Sequence, residues 1–126
     1  MNNFVITIRR PYTKRIIKRT KRFEIRTRIP KDLEKGSKIY VVEAGTHGEI
    51  FFSFIVGSII NIDPYDAWLQ YGHEDLGVSL DDFYEYTKES KYIYLIEITN
   101  IETFPGGFNL CDMSIKHPPM WFARVK

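Results

Sequence analysis

The chain has 126 residues, of which 44% are hydrophobic, 15% aromatic and 27% charged. This composition excludes an intrinsically disordered chain, and the length favours a single domain over residues 1–126. No stretch approaches the roughly 20 apolar residues that cross a bilayer, and the amino terminus shows no signal-peptide pattern. The single cysteine, Cys111, excludes an internal disulfide and a cysteine-based zinc site. We therefore expect a cytoplasmic protein that does not act at a membrane.

The net charge of +2 conceals an asymmetry along the chain. Residues 1–38 contain 13 Lys or Arg against three Asp or Glu, a net of +10. Residues 39–126 contain five Lys or Arg against 13 Asp or Glu, a net of −8. A molecule with this distribution attracts an anion to one side, and nucleic acid is the first partner to expect. The alternative is two solvated faces that partly neutralise each other.

The first predicted elements are a strand and a basic helix. Residues 4–8 are rich in β-branched side chains and predict a strand. Pro11 suits the first turn of a helix over residues 11–20. At helical spacing the apolar face of this helix consists of Tyr12, Ile16 and Ile17. Its opposite, basic face consists of Lys14, Arg15, Lys18 and Arg19.

The segment over residues 22–28 alternates with a period of two, which predicts a second strand. Phe23 and Ile25 point to one side of it. The other side carries Arg22, Glu24, Arg26 and Arg28. One face of this strand is therefore charged, with both signs present.

The rest of the chain predicts two strands, two helices and two further strands. Further strands are predicted over residues 38–44, 49–62, 91–104 and 121–125, with a hairpin loop at 45–48, a bulge or bend at Gly57 and a break at 105–107. Two helices are predicted between them, one over residues 64–71 and one that Ser79 caps, separated by a polar loop at 73–77. The order β-α-β-β-β-α-α-β-β predicts an α+β fold built on a small mixed β-barrel. The basic helix follows the first strand, and the two short helices precede the last strands.

Residues 19–26 contain a motif that resembles the hallmark of the ASCH family, a branch of the PUA-like β-barrels. The family pattern is Gly-x-Lys-x-x-Glu-x-Arg. Lys21, Glu24 and Arg26 match it, and Arg19 stands where the family usually has Gly. Residues 77–86 are similar to the family's second helix, and the resemblance extends over nearly the whole chain. It implies a cleft between the barrel and the first helix, with the motif strand as its floor.

The charged motif suits a binding site for RNA or for a nucleotide or nucleoside. Lys21 and Arg26 would hold a phosphate, and Glu24 would accept hydrogen bonds from a base or ribose. The predicted binding residues are Lys14, Lys18, Lys21, Arg22, Glu24, Arg26, Arg28 and His47. In the alternative interpretation Glu24 only bridges Arg26 or Arg28 and stabilises the barrel.

The resemblance also implies a hydrolase as an alternative, because some ASCH proteins are acetylcytidine amidohydrolases and others are described as ribonucleases. The catalytic residues would be Lys21, Glu24 and either Glu74 or Asp75. The amidohydrolases have Thr at the position of Glu24, and this difference argues against their chemistry. A third hypothesis is a module that recruits a protein partner through its charge asymmetry. No cofactor is expected, and three scattered histidines predict no metal site.

Several aromatic residues and the acidic stretch leave further expectations. Tyr40, Tyr92 and Tyr94 lie on predicted strands, where each could stack on a base or belong to the core. Trp68 and Trp121 are predicted to lie in the core. The acidic stretch over residues 63–89 should face away from the ligand or cover the cleft as a lid.

Overall fold

Alternating apolar residues build a six-stranded sheet with three α-helices. The structure, a computed structural model, describes residues 2–125. Its elements in chain order are β1 (Phe4–Ile8), α1 (Arg10–Ile17), β2 (Phe23–Arg26), β3 (Lys38–Glu43), β4 (Glu49–Ile62), α2 (Pro64–Leu76), α3 (Leu80–Thr87), β5 (Ile93–Asn109), a 3-10 helix (Leu110–Met113) and β6 (Ala123–Arg124). The predicted order of strands and helices is confirmed.

The sheet curls into a half-barrel with the strand order β2-β5-β4-β3-β1-β6. β1 pairs with β3 in parallel, and every other pairing in this sheet is antiparallel. The long β4–β5 ladder changes register between Val56 and Ile59, around Gly57. A Cβ at Gly57 would collide with the side chains of Glu97 and Thr99, so the glycine at the predicted bulge leaves room for these side chains of β5.

Apolar side chains cover both faces of the sheet. The cluster inside the curl includes Phe4, Ile6, Ile39, Phe54 and Ile96. The cluster between the sheet and helices α2 and α3 includes Phe23, Leu76, Phe83, Ile93 and Leu95. Neighbouring residues of β5 thus belong to different clusters, as period-two alternation requires. Each large side chain buried in this way stabilises the fold by about 1.5–3 kcal/mol.

Helix α2 and strand β5 are longer than predicted. The polar loop expected at 73–77 is helical as far as Leu76, because Gly72, at φ 65°, interrupts the helix without ending it. The left-handed residue Gly77, at φ 66°, then caps its carboxyl end. The break expected at 105–107 is also wrong, since β5 continues through these residues beside an irregularity in its pairing with β4.

The ends of helix α1 and of the last strand also differ from the predicted ones, by a few residues. Helix α1 spans Arg10–Ile17 and buries Thr13 and Ile16, whereas Ile17 is 37% exposed and does not belong to the apolar face. The closing strand β6 contains two residues rather than five. Within residues 2–125, no helix is both long and apolar enough to cross a membrane.

Candidate functional site

A cleft of about 500 Å³ opens where the curled sheet fails to close on itself. The edge strand β2 supplies one wall, β1 and the start of α1 supply another, and α3 supplies a third. We call this hollow the seam cleft. Its polar lining includes Thr7, Arg9, Tyr12, Lys21, Glu24, Arg26 and Asp82.

Lys21 lies at the inner end of the seam cleft, with 3% of its surface exposed. Its Nζ donates a hydrogen bond of 2.7 Å to the carbonyl oxygen of Leu76, at the end of α2 where the helix dipole favours a cation. The same nitrogen lies 5.4 Å from the centre of the Tyr12 ring. Its stem packs against Gly77, where an added Cβ would collide with it.

Burial lowers the pKa of Lys21 from its usual value of 10.5 to about 8. The carboxylate of Glu24 opposes this shift, and the guanidinium groups of Arg15 and Arg26 add to it. Lys21 thus holds its proton less firmly than an exposed lysine does. It can act either as a cation towards an anionic ligand or, after losing its proton, as a base.

Glu24 and Arg26 form an ion pair on the floor of the cleft. Arg26 Nε donates to Glu24 Oε2 at 2.8 Å, and the two side chains are only 14% and 9% exposed. Arg26 Nη2 also reaches the carbonyl oxygen of Thr7 at 3.4 Å, across the seam to β1. Among residues 2–125, Glu24 Oε1 accepts no hydrogen bond. The pair therefore stabilises the seam and still presents an acceptor and a cation to the cleft.

A chain of two hydrogen bonds crosses the mouth of the cleft from α1 to α3. Arg9 Nη2 donates to the Tyr12 hydroxyl at 3.1 Å, and that hydroxyl donates to Asp82 Oδ2 at 2.7 Å. Burial and the Asp82 carboxylate raise the pKa of Tyr12. Sequence analysis missed these roles, since Tyr12 was assigned to an apolar face. The only local signal is the spacing of Arg9 and Tyr12 by three positions, one helical turn.

The basic face of α1 is exposed beside the cleft, but only in part. Lys14, Lys18 and Arg19 are exposed. Arg15 is half-buried and donates to the carbonyl oxygen of Gly77 at 2.7 Å, so it holds α1 against the end of α2. Arg22, the residue just before β2, is exposed and does not line the cleft.

Arg22 and the two predicted acids, Glu74 and Asp75, all lie outside the lining of the seam cleft. Arg22 forms ion pairs with Asp75 at 3.6 Å and with Glu97 at 3.7 Å. Glu74 lines a separate hollow beside Arg15. The structure therefore does not bring Glu74 or Asp75 to Lys21 and Glu24, which the predicted hydrolase requires. The acids of the 63–89 stretch that do reach the cleft are Asp82 and Glu85 of α3.

Arg28 and His47 also lie outside the cleft lining. His47 is exposed in the loop between β3 and β4. Arg28 is exposed, with its guanidinium 5.0 Å from the centre of the Trp121 ring. Trp121 is 37% exposed, so the prediction that it lies in the core is wrong. Trp68 is partly buried against α3, with its ring 5.3 Å from that of Phe83.

The candidate stacking tyrosines differ in exposure. Tyr40 packs against the rings of Phe104 and Phe108, and Tyr94 is half-buried on β5. Tyr92 is exposed just before that strand. In the part of the chain that the structure describes, no group of three His, Cys, Asp or Glu side chains could hold a metal ion.

Comparisons of the sequence and of the structure with known proteins both point to ASCH proteins. The sequence model of the ASCH domain matches residues 6–105. The ASCH crystal structure from Zymomonas mobilis has a TM-score of 0.86 at 18% identity, covering 98% of this chain and 87% of that one. A tyrosine-to-phenylalanine variant of that protein has a TM-score of 0.86 at 18% identity, covering 100% and 91% of the two chains. For a serine-to-alanine variant the values are 0.85, 18%, 98% and 88%.

At this identity the structural likeness shows the fold alone. The predicted α+β fold of the PUA-like type is confirmed, with the sheet curled into an open half-barrel. The chain matches no curated protein.

Proposed function

The chain belongs to the ASCH domain family, and we propose that it binds RNA, or a nucleotide from it, in the seam cleft. The observation that carries this proposal is the mixture of charges in a hollow of about 500 Å³. Small-molecule sites commonly measure about 300–1,000 Å³, so the volume suits one nucleotide. Arg9, Lys21 and Arg26 offer cations for a phosphate.

The acceptors in the cleft suit the edge of a base or a ribose. Glu24 Oε1 accepts no hydrogen bond among residues 2–125, and Asp82 faces the same space. Base edges carry donors and acceptors together, so they are matched by a wall that offers both. Tyr12 and Tyr86 supply aromatic surface at the same walls. A simple anion site would need only the cations.

The exposed cations of α1 support an electrostatic contribution from the RNA backbone. Lys14 and Lys18 are exposed on the helix that borders the cleft. Each phosphate contact releases counterions, so binding should weaken as salt rises. Two lost contacts should reduce the slope of log K against log salt by about 1.4 for single strands.

The test is RNA binding by fluorescence anisotropy at several salt concentrations. Glu24→Gln should weaken binding, because the amide keeps the shape of the side chain but replaces one acceptor oxygen with a donor and removes the negative charge. Lys14→Ala/Lys18→Ala should weaken binding and flatten its salt dependence. Lys31→Ala/Lys35→Ala removes two exposed lysines from another loop at the same spacing and is the matched control. Absence of binding at low salt would contradict the proposal.

A hydrolase acting on an acylated nucleoside or on RNA is the second candidate, and the environment of Lys21 favours it. Burial lowers the pKa of Lys21 to about 8, so about a tenth of the protein has a neutral amine at pH 7. Such an amine could accept a proton from water while Glu24 positions that water. Release of acetate from acetylcytidine, rising with pH towards 8 and abolished in Lys21→Met, would support this activity. No acetate release by the wild type would contradict the activity, and release that persists in Lys21→Met would contradict the role of Lys21 as the base.

A further inference from the structure

An exposed aromatic and basic surface lies just outside the seam cleft. It consists of Arg28, Met120 and Trp121, and we call it the tryptophan shelf. Trp121 is 37% exposed and Met120 is fully exposed. Among residues 2–125, Arg28 forms no ion pair with a carboxylate. The Arg28 guanidinium lies over the indole ring of Trp121. Proteins that bind single-stranded nucleic acids use aromatic rings for stacking on bases and cationic side chains for contact with the backbone.

The tryptophan shelf is continuous with the floor of the seam cleft. Arg26 reaches the carbonyl oxygen of Thr7 at 3.4 Å, and the Thr7 hydroxyl donates to the carbonyl oxygen of Pro119 at 2.8 Å. Arg26 also lies 5.4 Å from the centre of the Phe122 ring, which in turn lies 5.5 Å from the ring of Trp121. The cleft and the shelf therefore share one wall.

The indole of Trp121 is held in place rather than loosely attached. Its Nε1 donates to the carbonyl oxygen of Arg28 at 3.3 Å, and the Arg28 guanidinium lies 5.0 Å from its centre. The neighbouring Phe122 packs edge-on against it, at an interplanar angle of 81°. An aromatic ring fixed in this way loses little conformational freedom when a ligand stacks on it.

We propose that the tryptophan shelf is a second nucleotide subsite. The base next to the nucleotide in the seam cleft stacks on Trp121, and Arg28 contacts the phosphate between the two nucleotides. This inference rests on the proposed function and narrows its ligand to single-stranded RNA of at least two nucleotides. Duplex RNA is excluded as the preferred ligand, because paired bases are stacked on each other and cannot stack on a protein ring.

The experiment compares short ligands on the wild type and on Trp121→Ala. The probes are the four nucleoside 5′-monophosphates, a random-sequence RNA tetranucleotide and an RNA duplex, with affinities measured by calorimetry. Base stacking is commonly worth about tenfold in affinity. The tetranucleotide should therefore bind the wild type about tenfold more tightly than the monophosphates do, and Trp121→Ala should lose that gain. The monophosphate affinities should stay unchanged, since they report the seam cleft alone.

A spectroscopic readout locates the stacked base. The chain has two tryptophans, Trp68 and Trp121, so Trp68→Phe leaves Trp121 as the sole indole. The tetranucleotide should quench its fluorescence, and the monophosphates should not. Tyr65→Ala removes an exposed aromatic ring from a different surface and should leave both readouts unchanged. Circular dichroism of each variant checks that the fold is retained.

The outcomes separate the subsite from the proposed function. Two results together support the subsite. Trp121→Ala loses the tighter binding of the tetranucleotide relative to the monophosphates, and the tetranucleotide quenches the fluorescence of Trp121 in Trp68→Phe. A gain that survives Trp121→Ala, equal affinities for monophosphates and tetranucleotide, or preferred binding of the duplex overturns the subsite and leaves the cleft proposal standing. Absence of binding by every probe overturns the proposed function and the subsite with it.

Discussion

Two hollows of similar size flank helix α3, and they differ in the number of charged side chains in their walls. The seam cleft measures about 500 Å³. The second hollow measures about 470 Å³ and lies between α2 and α3; we call it the helix groove. The helix groove is lined mainly by apolar side chains, among them Tyr65, Trp68, Leu69, Leu80 and Tyr84. Volume alone therefore does not distinguish a candidate nucleotide site in this molecule.

Helical periodicity explains how α3 serves both hollows. Leu80 and Tyr84, four positions apart, face the helix groove. Asp82 and Glu85, three positions apart, face the seam cleft. Phe83 lines both and separates them. The charges of the seam cleft therefore come from β2, from the start of α1 and from one face of α3.

The largest effect should come from unbalancing the charges of the cleft. Glu24→Ala leaves the guanidinium of Arg26 nearly buried without its partner, so the free energy of unfolding should fall by about 3 kcal/mol. Glu102→Ala breaks an exposed pair with Lys38 and should cost less than about 1 kcal/mol. Urea denaturation measures both. Equal, small losses in the two variants would show that the cleft pair behaves like a surface pair.

The second effect concerns the buried lysine and its pH dependence. The folded state lowers the pKa of Lys21 from 10.5 to about 8, so between these values the unfolded chain binds more protons. Stability should therefore rise with pH in that window, by up to about 3 kcal/mol, and the full destabilisation should be present below pH 8. Lys21→Met should be more stable than the wild type at pH 7.

The measurement for Lys21 is the difference in unfolding free energy between the wild type and Lys21→Met from pH 7 to pH 10. Taking the difference cancels the titration of the other lysines and tyrosines. The advantage of Lys21→Met should shrink as the pH rises. An advantage that stays constant with pH would mean that Lys21 is not the group that titrates.

A smaller effect is expected from the bridge across the cleft mouth. Tyr12→Phe removes the hydroxyl that links Arg9 to Asp82, and a hydrogen bond of this kind contributes about 1 kcal/mol. Hydrogen exchange of the α3 amides should accelerate accordingly. Tyr84→Phe, which changes an exposed ring on the opposite face of α3, is the control. Identical exchange in both variants would show that the bridge does not hold the helix.

The smallest effect is expected in the helix groove, which the proposed function leaves without a role in RNA binding. Leu69→Ser alters an exposed side chain, so the free energy of unfolding should change by no more than about 0.5 kcal/mol. RNA affinity should stay within twofold of the wild type by anisotropy. A clear loss of affinity would move the binding surface from the seam to the helices.

Most of the fold could be predicted from local patterns, but the ends of its elements could not. The β-branched residues identified β1, alternation identified β2, and the cap Ser79 identified the start of α3. The end of α2 was missed because the left-handed conformation of Gly72 interrupts the helix without stopping it. The exposure of Ile17 was missed because α1 ends one turn earlier than its amphipathic pattern.

It follows from the sequence alone that Glu24 and Arg26 share a face of β2 and that the basic residues concentrate in positions 1–38. Alternation and composition are local properties, so they survive any arrangement of the elements. Which acids line the cleft together with Lys21 depends on the tertiary packing. Asp82 reaches the cleft and Asp75 does not, because that choice depends on the rotation of packed helices. Packing likewise exposed Trp121 beside Arg28, since a two-residue closing strand leaves the preceding segment at the surface.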